Sequence, residues 1–124
     1  MTGYSVSIKT TSRELSAKER IKLKDTTDAI KLDDITQAEA ITIKPSLYAE
    51  LDIHNEMSDN KDYKAYVLVD ENGTKYVTSS NSFWTSFMDI AIEMENEEED
   101  WAIKIYRMPS KNYKGKEFIT CSIE

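Results

Sequence analysis

The sequence holds a single histidine, His54, and a single cysteine, Cys121, which limits the catalytic chemistry it can support. A metal centre built from Cys and His ligands is excluded by that count. The three glycines stand apart at positions 3, 73 and 115, so no glycine-rich loop cradles a phosphate. A Ser-His-Asp mechanism would have to be built on His54, and nothing marks a serine as its nucleophile. The carboxylates of Glu95 to Asp100 lack the spaced ligands and central glycine of a calcium loop and read as a solvated acidic segment. No catalytic residue, metal or cofactor is expected. The residual catalytic reading is a weak hydrolase resting on His54 and nearby carboxylates, and a non-enzymatic protein is the expectation.

Binding chemistry is better represented. Seven tyrosines occur in 124 residues, and several adjoin a cation: Tyr63-Lys64, Lys75-Tyr76, Tyr106-Arg107 and Tyr113-Lys114. Single-stranded nucleic acid is held by aromatic faces that stack on bases and by basic side chains that neutralise phosphates. Lys104 and Tyr106 alternate with Trp101, Ile103 and Ile105, so they fall on the opposite face of one strand. Lys111, Tyr113, Lys114 and Lys116 gather in the loop that follows. The competing structural reading is that Tyr and Lys are ordinary occupants of exposed β surfaces. Phe83 and Trp84 belong to a helix, Phe83 on its apolar face and Trp84 one position off it, where core cover is favoured over an exposed contact.

The net charge of −7 argues against a polyanionic partner, but its distribution is uneven. From Asp89 to Asp100 there are seven acidic residues and no basic one. From Lys104 to Phe118 there are five basic residues against Glu117 alone. Because charges are screened over roughly 8 Å at physiological salt, a local basic surface can act independently of acidic ones elsewhere.

The elements that must position these groups follow from periodicity. Leu47, Ala49, Leu51 and Ile53 alternate with polar residues, predicting a half-buried strand over Ser46 to His54 after Pro45. Tyr63 to Val69 alternates in the same way. Asn72-Gly73 predicts a tight hairpin turn with positive φ, and Lys75 to Thr78 the return strand. Ser79 to Ser82 supplies helix-capping residues, and Phe83, Phe87, Ile90, Ala91 and Met94 recur at helical spacing. That helix should end near Met94, because the acidic run would oppose its dipole. Trp101 to Met108 and Lys116 to Ile123 read as the last two strands, with Ile119, Cys121 and Ile123 on one face and the thiol buried. In the first 43 residues, Ile21 and Leu23 alternate with lysines, Ile30 to Leu32 and Ile41 to Ile43 look like strand fragments, and Ser12 to Arg20 could form a turn or two of helix. Strand-strand-strand-helix-strand-strand is the order of an OB-fold, a small five-stranded barrel that binds oligonucleotides. The expected organisation is one mainly β domain over residues 1–124, with the barrel in 46–124 and residues 1–43 as an extension or added strands.

Ser12-Arg13-Glu14-Leu15, Ala17-Lys18-Glu19, Leu23-Lys24-Asp25, Asp70 to Thr74, Ser82-Phe83-Trp84 and Met108 to Asn112 with Gly115-Lys116 resemble small single-stranded DNA-binding proteins encoded by tailed phages of Gram-positive bacteria. The element order is also similar to that of the single-strand-binding protein of protein-primed phages. The resemblance implies an OB-fold that coats displaced strands during phage DNA replication or recombination in the host cytoplasm. It implies a binding surface of Tyr63, Tyr66, Tyr76, Tyr106 and Tyr113 with Lys64, Lys75, Lys104, Arg107, Lys111 and Lys114. Bacterial housekeeping members end in an acidic tail that recruits partners. Here the sequence ends on Ser122-Ile123-Glu124, and the internal acidic run is the segment that would take that role. Expected partners are single-stranded DNA and replication or recombination proteins, with self-association left open. No apolar stretch is long enough for a membrane span, and Met1 to Ser5 lacks the pattern of a secretory signal. The alternative is a protein-interaction module whose acidic face binds a basic partner, such as a phage-encoded inhibitor of a host nucleic-acid enzyme.

Overall fold

The computed structural model describes residues 4–57, 61–97, 100–110 and 115–124. In chain order its elements are β1 (Tyr4–Thr11), α1 (Ala17–Lys24), β2 (Ile30–Lys31), α2 (Leu32–Ile35), β3 (Ile41–Ile43), β4 (Pro45–Asn55), β5 (Asp62–Asp70), β6 (Lys75–Thr78), α3 (Asn81–Met94), β7 (Ile103–Pro109) and β8 (Glu117–Ile123). The protein is mainly β, with 46% of the described residues in strands and 23% in helices. Its strands form a five-stranded sheet in the order β1-β4-β5-β6-β2 and a three-stranded sheet in the order β3-β7-β8. The closed five-stranded barrel expected from the element order is not found among the described residues. The reason lies in the ladder bonds. β1 occupies one side of β4 and β2 the outer side of β6, so the edges that closure would join are already paired. No described helix is long and apolar enough to cross a membrane.

Two compact units share the chain in alternation. One comprises residues 1–30 and 46–79, the other 31–45 and 80–124. The first 43 residues are therefore not one appendage but contribute to both.

In the first unit the strict alternation of β4 buries Leu47, Ala49, Leu51 and Ile53. Ala65 and Val67 of β5 and Leu23 of α1 complete that core, with Val6, Ile8, Leu15, Tyr63, Val69 and Val77 packed around it. β1 pairs antiparallel with β4, Val6 opposite Ile53 and Ile8 opposite Leu51, and the register slips at Lys9. β5 and β6 form the expected hairpin, Val67 opposite Val77. Its turn differs in detail: among the non-glycine residues described none has positive φ, so only Gly73, at φ 87°, adopts the left-handed conformation. The Asp70 carbonyl accepts from the Gly73 N–H (3.0 Å), and the Asp70 N–H donates to the Thr74 carbonyl (3.0 Å). The Asp70 carboxylate accepts from the N–H groups of Asn72 and Thr74, both at 2.9 Å. This is a three-residue loop with one left-handed glycine, which needs no positive φ at Asn72.

Residues Ile21 and Leu23, expected in a strand, lie in the helix α1. Ser16 caps it in a reciprocal box: its hydroxyl accepts from the Glu19 N–H (3.2 Å), and the Glu19 carboxylate accepts from the Ser16 N–H (3.0 Å). Arg13 donates to the other Glu19 oxygen at 2.8 Å. These bonds, Arg13's first, bring the Glu19 carboxyl down to about 2.

In the second unit Ile43 pairs with Ile103 and Ile41 with Ile105. On the other side of β7, Ile105 faces Cys121 and Arg107 faces Ile119. Ile43, Ile103, Ile105, Ile119 and Cys121 are all buried. Helix α3 starts at the Ser80 cap, whose hydroxyl accepts from the Phe83 N–H (3.2 Å), and ends at Met94 as expected. Ser82 donates to the Ile119 carbonyl (3.1 Å), and the Ser86 and Thr120 hydroxyls are 3.0 Å apart, fixing α3 to β8. Phe87 stacks on Phe83, Trp84 and Trp101 with ring centroids 5.9, 5.4 and 6.2 Å apart. Trp84, at 7% exposure, is core cover. Trp101 precedes β7 rather than starting it. Glu95 to Glu97 and Asp100 are exposed beyond α3, whereas Glu98 and Glu99 lie outside the described residues.

Candidate nucleic-acid interface

Residues 62, 64, 66 and 68 of β5 point away from the side that carries Ala65 and Val67. Next to them on β4 stand Glu50, Asp52 and His54, and on β1 Ser5 and Ser7, opposite His54 and Asp52. Leu68 and Tyr66 on this face are buried; the end beside Glu50, Asp52 and His54 is polar, but its charges are already matched. Lys64 Nζ donates to Glu50 at 2.6 Å and lies 3.4 Å from Asp52, while Lys9 reaches Glu50 at 3.4 Å. The hydrogen bond to Glu50 holds the Lys64 ammonium well above its usual range. Partial burial works to raise the Glu50 carboxyl, but the hydrogen bond and charge of Lys64, with that of Lys9, outweigh it and leave the group low. A phosphate at Lys64 would compete with two carboxylates that already neutralise it. Tyr66 is 4% exposed, and burial raises its hydroxyl pKa, so its ring offers no face to a base.

Lys75 and Tyr76 are likewise engaged. The side chain of Lys75 crosses to the end of α1, where Nζ donates to the carbonyls of Lys22 and Asp25, both at 2.6 Å, and to Asp28 at 3.2 Å. The last carbonyls of a helix have no partner within it, and a cation there also meets the favourable end of the helix dipole. The Tyr76 hydroxyl is 3.5 Å from Asp70, and burial followed by the Asp70 charge raises its pKa. Tyr63 packs against the core of its unit while lining a cleft of about 370 Å³ with Ser5, Asp52, His54 and Asp62.

In the three-stranded sheet, Arg107 turns to α2. Its Nη2 donates to the Asp33 carbonyl and its Nε to the Thr36 hydroxyl at 3.3 Å. The other face of β7 is closed at Thr120 of β8, which is buried with its hydroxyl 3.0 Å from that of Ser86 on α3, and is accessible on either side of it. Lys104 is exposed between Thr42 and Ser122, Tyr106 is half-buried opposite Thr120, and Met108 faces Phe118. None of the strand residues on this face is acidic. Lys104 makes no ion pair among the described residues. Tyr106 and Phe118 are diagonal neighbours across the β7–β8 ladder, a second ring that the sequence reading did not single out. The signal was there: Phe118 is out of phase with Ile119, Cys121 and Ile123, which sends it to the opposite face. Lys111, Tyr113 and Lys114 lie outside the described residues, and Lys116 is exposed just before β8.

His54 sits in an ionic clip. Its Nδ1 is 2.7 Å from Asp62 and its Nε2 2.6 Å from Glu56, and Lys61 lies 3.2 Å from Glu56. Hydrogen bonds to Asp62 and then Glu56 hold its pKa above the usual value. Both ring nitrogens face carboxylates, so neither is free to take a proton from a nucleophile. No group of three or more His, Cys, Asp or Glu side chains suited to a metal ion occurs among the described residues. No family model matches the chain, and no curated protein or solved structure matches it significantly either. The likeness to phage single-stranded DNA-binding proteins therefore rests on the quoted residues alone.

Proposed function

We propose that this protein binds single-stranded DNA with little regard to sequence, through the accessible part of the β3-β7-β8 sheet face that carries Lys104, Tyr106, Met108 and Phe118, as a coating protein in DNA replication or recombination. The observation that carries the reading is that face itself. In a chain of net charge −7 it places Lys104 beside Tyr106, Met108 and Phe118 with no carboxylate among its strand residues. Two half-buried rings on adjacent strands are a stacking platform, and stacking contributes about 1–3 kcal/mol per base. In the sequence β7 is soon followed by Lys111, Tyr113 and Lys114. The proposed surface is narrower than the sequence suggests, since Lys64, Lys75 and Arg107 are held by partners within the protein and Tyr66 is buried. An OB-like architecture is supported by the succession β4, β5, β6, α3, β7, β8 and by the single residue, Lys44, between β3 and β4.

The test is a titration with unlabelled oligo-dT followed by tyrosine and tryptophan fluorescence at several salt concentrations, beside a duplex of equal length. Quenching by the single strand alone, with a log-log salt slope of about −0.7 per phosphate contact, is the expected result. Tyr106→Ala and Phe118→Ala should each weaken binding by the loss of one stacking surface. Absence of quenching and of a mobility shift at low salt would sink the reading.

A further inference from the structure

Helix α3 buries Phe83, Phe87 and Ala91, and on the flank of that stripe Ile90 and Met94 stand one turn apart, each half-buried. Beside them Ile123 of β8 remains 49% exposed. Together with Asp89 and Glu93 these three side chains line a shallow cleft of about 240 Å³. A second cleft of about 340 Å³ shares Met94 and Ile123 with it and is lined also by Lys44, Asp100, Trp101 and Glu124. The result is an apolar strip with carboxylates on both sides and one cation, Lys44. Asp89, Glu93, Asp100 and Glu124 form no ion pair among the described residues.

The placement is unfavourable for the free protein. Asp89 and Glu93 are like charges at i and i+4, which costs a helix about 0.2–0.5 kcal/mol. Glu93 and the cap residue Glu95 stand at the end of the helix where cations are preferred, and the last turn contains no basic residue. A cationic ligand would remove both penalties. We propose that the α3–β8 cleft docks a basic amphipathic segment of another protein, an apolar side chain seated among Ile90, Met94 and Ile123 with Lys or Arg on either side. The carboxylates repel nucleic acid and anionic membranes alike. A second copy of this chain, with its own net charge of −7, is a poor occupant for the same reason. The apolar strip separates this site from simple charge attraction, because it rewards an anchor side chain as well as a cation. Its lining shares no residue with the proposed DNA face.

The experiment uses the full chain and a fluorescein-labelled peptide in which leucines alternate with pairs of lysines. The control has every leucine replaced by serine at the same charge. Anisotropy at physiological salt should show the leucine peptide binding at least ~10-fold more tightly than the serine peptide. Asp89→Asn with Glu93→Gln, and separately Ile123→Ser, should each weaken it by about 10-fold while circular dichroism shows the fold retained. Unlabelled oligo-dT should not displace the peptide, and oligo-dT quenching should survive the Ile123→Ser change. Equal binding of the two peptides, indifference to both variants, or displacement by oligo-dT would each overturn the proposal. Loss of oligo-dT binding alone would instead count against the DNA face.

Discussion

Replacing Lys75 by methionine separates a structural cation from a phosphate ligand. Methionine keeps the length and apolar stem of lysine and deletes only the ammonium. In the native protein the Lys75 side chain is 14% exposed, and its ammonium serves the Lys22 and Asp25 carbonyls and the Asp28 carboxylate. A hydrogen bond to a charged group contributes about 1.5–3 kcal/mol net, and a cation at a helix C-terminus about 0.3–1 kcal/mol. The two carbonyls at the end of α1 can turn to water once the ammonium is gone, which recovers part of the loss. We expect a net destabilisation of about 2 kcal/mol. With an unfolding entropy of roughly 2.1 cal/mol/K per residue over 124 residues, that lowers Tm by about 8 °C. The measurement is thermal unfolding by circular dichroism, paired with oligo-dT titration of the same variant. The salt slope should be unchanged, whereas Lys104→Met should leave Tm within a degree or two and reduce the slope by about 0.7. If Lys75→Met left Tm unmoved and reduced the slope, Lys75 would be a phosphate ligand and its role at the end of α1 would be refuted.

His54 and Cys121 give two further expectations. Because Asp62 and Glu56 raise the imidazole pKa in the folded state, the clip stabilises fully below the unfolded value of about 6.5 and is lost as pH rises through the folded value. Urea midpoints should therefore fall on moving from pH 6 to pH 8 in the native protein and change less in His54→Gln; equal slopes in both would contradict the geometry. Burial pushes the Cys121 thiol up to about 12, so an aromatic disulfide reagent at pH 8 should react only as fast as the protein opens. Prompt labelling of the native protein would place the thiol elsewhere than in the β7–β8 core.

The legible parts of the fold were those in which a buried face repeats in sequence. β4 alternates cleanly because one side of it is core along its length, and α3 reads as a helix because its apolar stripe is broad. The expected turn or two of helix over Ser12 to Arg20 overlaps the start of α1, but its second half, Ile21 to Lys24, was misread for the opposite reason. Only Leu23 is buried in it, Ile21 is 67% exposed, and a helix with one buried residue has no stripe to detect. Its legible signal was local: Ser16 and Glu19 spell a capping box. β1 was overlooked although Tyr4, Val6 and Ile8 alternate with Ser5, Ser7 and Lys9; as an edge strand it half-buries only Val6 and Ile8, which makes that signal short. The candidate site suffered from a different loss. Adjacency of tyrosine and lysine along the chain says nothing of what a lysine meets across the fold. Lys64 meets Glu50 from a neighbouring strand, Lys75 the end of a helix more than fifty residues earlier, and Arg107 a carbonyl in α2. Lys104 forms no ion pair among the described residues because its cross-strand neighbours, Thr42 and Ser122, are uncharged, a fact of register that only the ladder reveals.

The alternation of the two units along the chain bears on how the protein is made. Residues 31–45 leave the ribosome early, yet the strand that Ile43 must pair with begins at Ile103, sixty residues later. At roughly 5–20 residues per second, β3 waits on the order of 3–12 s with its edge and its isoleucines unsatisfied. The first unit has all its segments by residue 79 and can condense during that interval. Translation thus imposes an order on assembly, and a pause after residue 79 would prolong the time in which Ile41 and Ile43 are open to aggregation or chaperone capture.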